Sequence, residues 1–138
     1  MYISIIEERN ALLLQLPFAD GGLPTYSRPF LVIKKDNGYL NLLNVSSVFK
    51  KEKKLFYPSN KLIDPAHHYP PFRKSSFVKM DIIYRVVDSV NLENFIMDSG
   101  GKLHSEAFDN IIQAFNDYEG KEYFEVDEVL LGEYNAIH

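Results

Sequence analysis

The sequence predicts a mainly β domain of the α+β kind, and three patterns point there. Its apolar runs are short and close on proline, glycine or turn-forming residues, as buried strands do. Asp36-Asn37-Gly38 separates two such runs with hairpin chemistry. Only one stretch, after Ser105, carries a clear helical period. A length of 138 residues suits one domain and is enough to bury a core without disulfides or a structural metal.

Taken in order, Ala11-Leu12-Leu13-Leu14-Gln15-Leu16, closed by Pro17, reads as a first strand. The connection from Asp20 to Ser27 is rich in glycine and turn formers, a candidate mobile loop. Residues 30 to 45 read as a β-hairpin about the Asn-Gly turn. Residues 48 to 74 are irregular and hold Pro58, Pro65, Pro70 and Pro71, which disfavour a long helix or a central strand, so the segment reads as an insertion or ordered loop. Alternation returns with Val78, Met80, Ile82, Tyr84 and Val86 on one face of a strand, leaving Lys79, Asp81, Ile83 and Arg85 on the other. A short helix or 3₁₀ turn is expected over residues 89 to 97. The main helix is expected to start at Ser105 as N-cap, to bury Phe108, Ile111, Ile112 and Phe115, and to stop near Gly120. Residues 121 to 138 form an acidic extension in which Val126, Val129, Leu130 and Leu131 have the character of a strand or short helix.

The chain has no cysteine, which removes disulfides and thiolate metal sites from consideration and suits a reducing compartment. Its start lacks a basic segment followed by an apolar run, and no apolar stretch approaches the ~20 residues of a membrane span. A soluble, cytoplasmic protein with no membrane partner is expected. The net charge of −4 conceals an asymmetry: residues 28 to 79 hold 11 of the 15 Lys and Arg but only Asp36, Glu52 and Asp64 of the 19 acids, a local balance of +8. Such a segment points toward a polyanion, although Lys50, Lys51, Lys53 and Lys54 by themselves read first as a solvated surface.

Leu14-Gln15-Leu16-Pro17-Phe18-Ala19-Asp20-Gly21-Gly22 followed by Ser27-Arg28-Pro29-Phe30-Leu31-Val32-Ile33 resembles the MazF/PemK-like toxins. In that family a first strand ends near Pro-Phe, a Gly-rich loop follows, and Arg-Pro opens a hydrophobic second strand. Leu42-Leu43-Asn44-Val45-Ser46-Ser47 is similar to the family strand that ends in a Thr/Ser-Ser pair. Ser76-Phe77-Val78, Tyr84-Arg85-Val86-Val87-Asp88 and Gly101-Lys102-Leu103 follow in the family's order. The resemblance covers roughly residues 11 to 116 and rests on order and spacing more than on any single motif. It implies a small SH3-like barrel of antiparallel strands, usually a homodimer. It also implies the toxin of a toxin-antitoxin system: an endoribonuclease that cuts single-stranded RNA by 2′-hydroxyl attack, leaves a 2′,3′-cyclic phosphate, and needs no metal or other cofactor.

Onto that pattern Arg28 maps as the cation on the phosphate, since a guanidinium fork matches two phosphate oxygens; its other reading is a surface residue at a strand start. Ser46 and Ser47 map where the family holds the scissile phosphate by a hydroxyl, or else they only shape a turn. Tyr26, beside Ser27, is placed to stack on a base or to pack in its loop. Lys50 and Lys51 are candidate RNA contacts from the charge run, and Lys79 and Asp81 from the polar strand face. His67-His68 lacks a third and fourth ligand nearby, so no metal site is assigned.

Residues 23 to 27 depart from the family's usual basic or small polar run, and the 48–74 segment is longer than in its compact members. The related ToxN-like ribonucleases, which carry more inserted structure and are inhibited by RNA, are therefore an alternative, and the antitoxin is either protein or RNA. A non-catalytic nucleic-acid or protein-binding module, including a gyrase-binding toxin, is the remaining reading. The acidic extension has a further possible use, lying across the basic surface as an RNA mimic.

Overall fold

The computed structural model describes residues 4–18 and 21–135; Ala19 and Asp20 of the Gly-rich loop, and the two ends of the chain, lie outside it. Seven strands form one curled sheet with a 13-residue helix, a mainly β, α+β architecture of small barrel-like form. Strands β1 (Ala11–Leu14), β2 (Arg28–Asp36) and β3 (Tyr39–Ser47) are consecutive and antiparallel. The β2–β3 turn is the expected two-residue one: Asp36 faces Tyr39, and Asn37 and Gly38 both take positive φ, 51° and 81°, as a type I′ turn requires. An isolated antiparallel bridge pairs Leu12 of β1 with Ile96, which lies outside the strands.

The feature that positions the site is a division along β3. Its first half pairs with β6 (Ile82–Val87), Leu42 facing Tyr84, whereas its second half pairs with β5 (Ser76–Lys79), Val45 facing Val78. The continuous strand expected from Val78 to Val86 is thus two strands with a bend at Met80 and Asp81. Val78, Met80 and Ile83 enter one apolar cluster while Ile82, Tyr84 and Val86 pack with the other. The alternation misled because it happened to run on across the bend; Lys79 and Asp81 do not share a strand face.

β4 (Asn60–Leu62), inside the irregular 48–74 segment, adds to the outer edge of β5. Ile63 and Phe72 of the same segment are buried in the core, so most of it is an ordered part of the domain. The segment set apart as an acidic extension is also partly built in. β7 (Glu122–Val126) pairs with β6 in parallel, a departure from an all-antiparallel barrel. Helix α2 (Glu128–Asn135) then places Leu131 in the core. The acids there face solvent, which hid the apolar positions Val126 and Leu131 behind a hydrophilic composition.

Two cores lie on the two faces of β2–β3, as period-2 alternation demands. One face gives Phe30, Val32, Leu40 and Leu42, closed by Tyr84 and Val86, with the Phe30 and Tyr84 rings edge to face at 5.2 Å. The other gives Leu31, Leu43 and Val45, covered by Ala107, Phe108 and Ile111 of α1 (Ser105–Asp117). That helix buries Phe108 and Ile111 of the expected stripe and half-buries Ile112 and Phe115, but His104 is its N-cap, accepting from the Glu106 amide at 3.2 Å, and it ends at Asp117 before reaching Gly120. The stretch expected as a short helix or 3₁₀ turn holds a 3₁₀ segment, Val90–Phe95; in the Met97–Gly100 turn after it, Asp98 and Ser99 take non-helical φ of 51° and 52°. Among the described residues no helix is long and apolar enough to cross a membrane.

Candidate functional site

Where β3 passes from one partner strand to the other, the sheet opens at Asn44, and a cleft of about 710 Å³ lies over the opening. Arg28 reaches it from the start of β2, Asn44, Ser46 and Ser47 from the end of β3, and Lys79 from the end of β5. Lys51 and Lys54 line it from the turn after β3, and Tyr26 from the Gly-rich loop. A smaller cleft of about 330 Å³ shares Phe18, Arg28, Asn44 and Lys79 with it and adds Asp81 and Tyr84. Of the residues singled out in the sequence, Tyr26, Arg28, Ser46, Ser47, Lys51 and Lys79 therefore meet around the larger cleft, with Asp81 around the smaller. Ser27 and Lys50 do not line either; Lys50 turns its ammonium over the Phe49 ring at 5.3 Å.

The larger cleft is strongly cationic. Arg28, Lys51, Lys54, Arg73, Lys74 and Lys79 line it against one acid, Asp98, which pairs with Arg73 at 3.8 Å. Lys54, Arg73 and Lys74 carried no signal in the sequence beyond the regional charge, since they sit in irregular backbone with no periodicity to aim them. Lys79 registers the crowding. Its pKa is pushed below the ordinary lysine range, first by burial, then by the nearby charges of Lys54, Arg28 and Lys51, with Asp81 pulling the other way.

Arg28 is held rather than free. Only 7% exposed, it donates from Nη2 to the carbonyls of Leu16 at 2.9 Å and Pro17 at 3.3 Å, and from Nη1 to Asn44 Oδ1 at 3.2 Å. Phe18 lies against its guanidinium at 4.4 Å. Its Nε is buried with no hydrogen-bond partner among the described residues. Asn44, quoted only as part of a motif, is thus the residue that orients Arg28; its own Nδ2 donates to the Pro29 carbonyl at 3.1 Å. Tyr84 donates its hydroxyl to the Pro17 carbonyl at 2.7 Å, and burial raises its pKa above the ordinary tyrosine value.

The two serines differ. Ser46 Oγ accepts from Lys51 Nζ at 3.0 Å, so its proton is available to a ligand and its oxygen sits beside a cation. Ser47 Oγ accepts from the Phe49 amide at 3.2 Å, the turn-shaping role. His67 and His68 are occupied locally: His67 Nδ1 lies 2.7 Å from Asp64, its ring stacks on His104 at 4.0 Å, and His68 Nδ1 lies 2.6 Å from the Phe72 carbonyl. No group of three or more His, Asp or Glu side chains poised for a metal occurs among the described residues. None of the cleft residues comes from residues 121–135, so the acidic segment does not lie across it.

Comparison with known proteins adds no identity to this geometry. No protein-family model matches the chain. No curated protein matches it either.

Proposed function

We propose that the protein is a metal-independent endoribonuclease of the MazF/PemK-like toxin kind, acting on single-stranded RNA in the cationic cleft. One observation carries the reading: Arg28, Ser46, Lys51 and Lys79 meet in one cleft whose lining holds six cations in all and a single acid. A polyanion is the ligand such a field selects, and a strand with splayed bases suits a cleft that also presents Tyr26 and Phe18.

In this reading the scissile phosphate sits against Ser46 and Lys51, within the field of the Arg28 guanidinium. The 2′-oxygen forms a bond to phosphorus and the bond from phosphorus to the 5′-oxygen breaks. Charge gathering on the phosphorane is met by Lys51 and Arg28, which are already oriented and need little reorganisation. Asp81 takes the 2′-hydroxyl proton, and Lys79, whose ammonium is made more acidic by its surroundings, protonates the leaving 5′-oxygen. The products are a 2′,3′-cyclic phosphate and a 5′-hydroxyl. A cytoplasmic location, a homodimer and an antitoxin of protein or RNA belong to the same proposal.

The engagement of Arg28 with Leu16, Pro17 and Asn44 favours a second reading, a nucleic-acid binder in which Arg28 only braces the cleft. Matched RNA and DNA strands separate the two. Binding of both with cutting of RNA alone supports the ribonuclease; binding of both with cutting of neither leaves the binder.

A further inference from the structure

Residues 49 to 57 leave three aromatic rings in solvent: Phe49 is 70% exposed, Phe56 86% and Tyr57 57%. Lys50, Lys51, Lys53 and Lys54 lie between Phe49 and Phe56, against one acid, Glu52. Three large rings exposed within one nine-residue segment mark a surface for a partner, unlike the scattered single exposures elsewhere. The backbone that presents them is fixed. Ser47 Oγ accepts from the Phe49 amide, and the Val48 carbonyl accepts from the Lys51 amide at 2.8 Å. Lys50 is held at φ 59° in the left-handed region. At the other end Asn60 Nδ2 donates to the Lys54 carbonyl at 2.9 Å, and the Asn60 amide to the Tyr57 carbonyl at 3.0 Å.

This segment is continuous with the cleft. Lys51 and Lys54 line the cleft itself. A groove of about 500 Å³ running past Phe49 shares Ser47 and Lys74 with the cleft.

Resting on the ribonuclease reading, we infer that residues 49–57 form a second binding platform, on which bases of single-stranded RNA flanking the cut site stack on Phe49, Phe56 and Tyr57 while the lysines track the phosphates. Every base has a π-face, so such a platform adds affinity without choosing sequence. Charge decides the occupant: four lysines among three rings fit a polyanion bearing flat apolar groups better than an apolar protein surface. The pinned backbone reduces what ordering would subtract from that affinity.

The test uses the whole protein and uncleavable 2′-O-methyl RNA of two lengths, about 6 and about 20 nucleotides, the first filling only the cleft. Phe49→Ala, Phe56→Ala and Tyr57→Ala should each weaken the long strand by about fivefold or more and leave the short one as in the wild type, while Phe56→Trp retains affinity. A triple variant that binds the long strand like the wild type, or weakens both lengths equally, overturns the platform. If that variant is unimpaired while Lys51→Gln with Lys54→Gln loses binding, the platform fails and the cleft reading stands. Aromatic-dependent binding by a protein that cuts no ordinary RNA supports the platform and sinks the ribonuclease. Absence of RNA binding overturns both.

Discussion

Screening by salt gives the cleft a quantitative signature. Of the six cations lining it, Arg73 is already shared with Asp98, which leaves Arg28, Lys51, Lys54, Lys74 and Lys79 to meet phosphates. For single strands the logarithm of affinity falls with the logarithm of salt with a slope of about −0.7 for each phosphate neutralised, so these five predict a slope of about −3.5. Raising salt about fourfold should then weaken binding about a hundredfold. Lys51 and Lys54 are exposed and their removal leaves no buried group unpaired. Lys51→Gln with Lys54→Gln should therefore flatten the slope to about −2, so the same salt step costs about twentyfold. The assay is fluorescence anisotropy of a labelled uncleavable RNA of about 6 nucleotides, short enough to fill only the cleft, across a salt series. A wild-type slope shallower than about −1, or an unchanged slope in the double variant, would refute the assignment of these cations to phosphate contacts.

Further outcomes follow from single residues. Lys79 is more easily deprotonated in the folded protein than in the unfolded chain, so below its ordinary pKa the unfolded state binds more protons and stability gains as pH rises. Lys79→Met should raise the thermal midpoint at about pH 7, reduce its gain toward about pH 9.5, and weaken RNA binding; a lowered midpoint would count against the crowding described. Tyr84→Phe removes a hydroxyl from the Pro17 carbonyl, but that carbonyl still accepts from Arg28, so urea unfolding should show a loss of only about 0.5–1.5 kcal/mol. Gly38→Val meets open space but must hold φ near 81°, so it should cost about 1–2 kcal/mol from backbone strain alone; a neutral result would contradict the type I′ turn.

Local chemistry in the sequence was legible where one short-range rule governed. Asn37-Gly38 specified its turn, and Phe108 and Ile111 specified the buried face of α1 because a 3.6-residue period has few rivals over that length. The region from Val78 to Val86 was misread because the alternation runs on across a bend at Met80 and Asp81, beyond which the chain pairs with the other half of β3 and its even positions enter the other apolar cluster, which is a tertiary choice. His104 displaced Ser105 as cap because its ring nitrogen can accept from the helix's first turn.

At the candidate site, ordered motifs drew attention to Arg28, Ser46 and Ser47, and the fold brings all three to one cleft. The partners that define their chemistry come from far along the chain or from irregular backbone. Arg73, Lys74 and Asp98 reach the cleft through the packing of loops, and Asn44 gained significance only from its bond to Arg28. Sequence put Ser46 ahead of Ser47 on the family pattern alone; the Lys51 ammonium on one hydroxyl and the Phe49 amide on the other give the physical difference.

The most direct test of the central claim is incubation of a long single-stranded RNA with the purified protein in excess EDTA, beside Ser46→Ala and Arg28→Lys, with chemical mapping of the fragment ends. Arg28→Lys keeps the charge but not the fork that holds Leu16, Pro17 and Asn44, so its folding is checked in parallel by thermal unfolding. The account predicts cutting that survives EDTA, ends bearing 2′,3′-cyclic phosphate, and rates lowered about a hundredfold in a folded Ser46→Ala or Arg28→Lys protein. Cutting that stops in EDTA, or proceeds equally in folded variants and wild type, would contradict it.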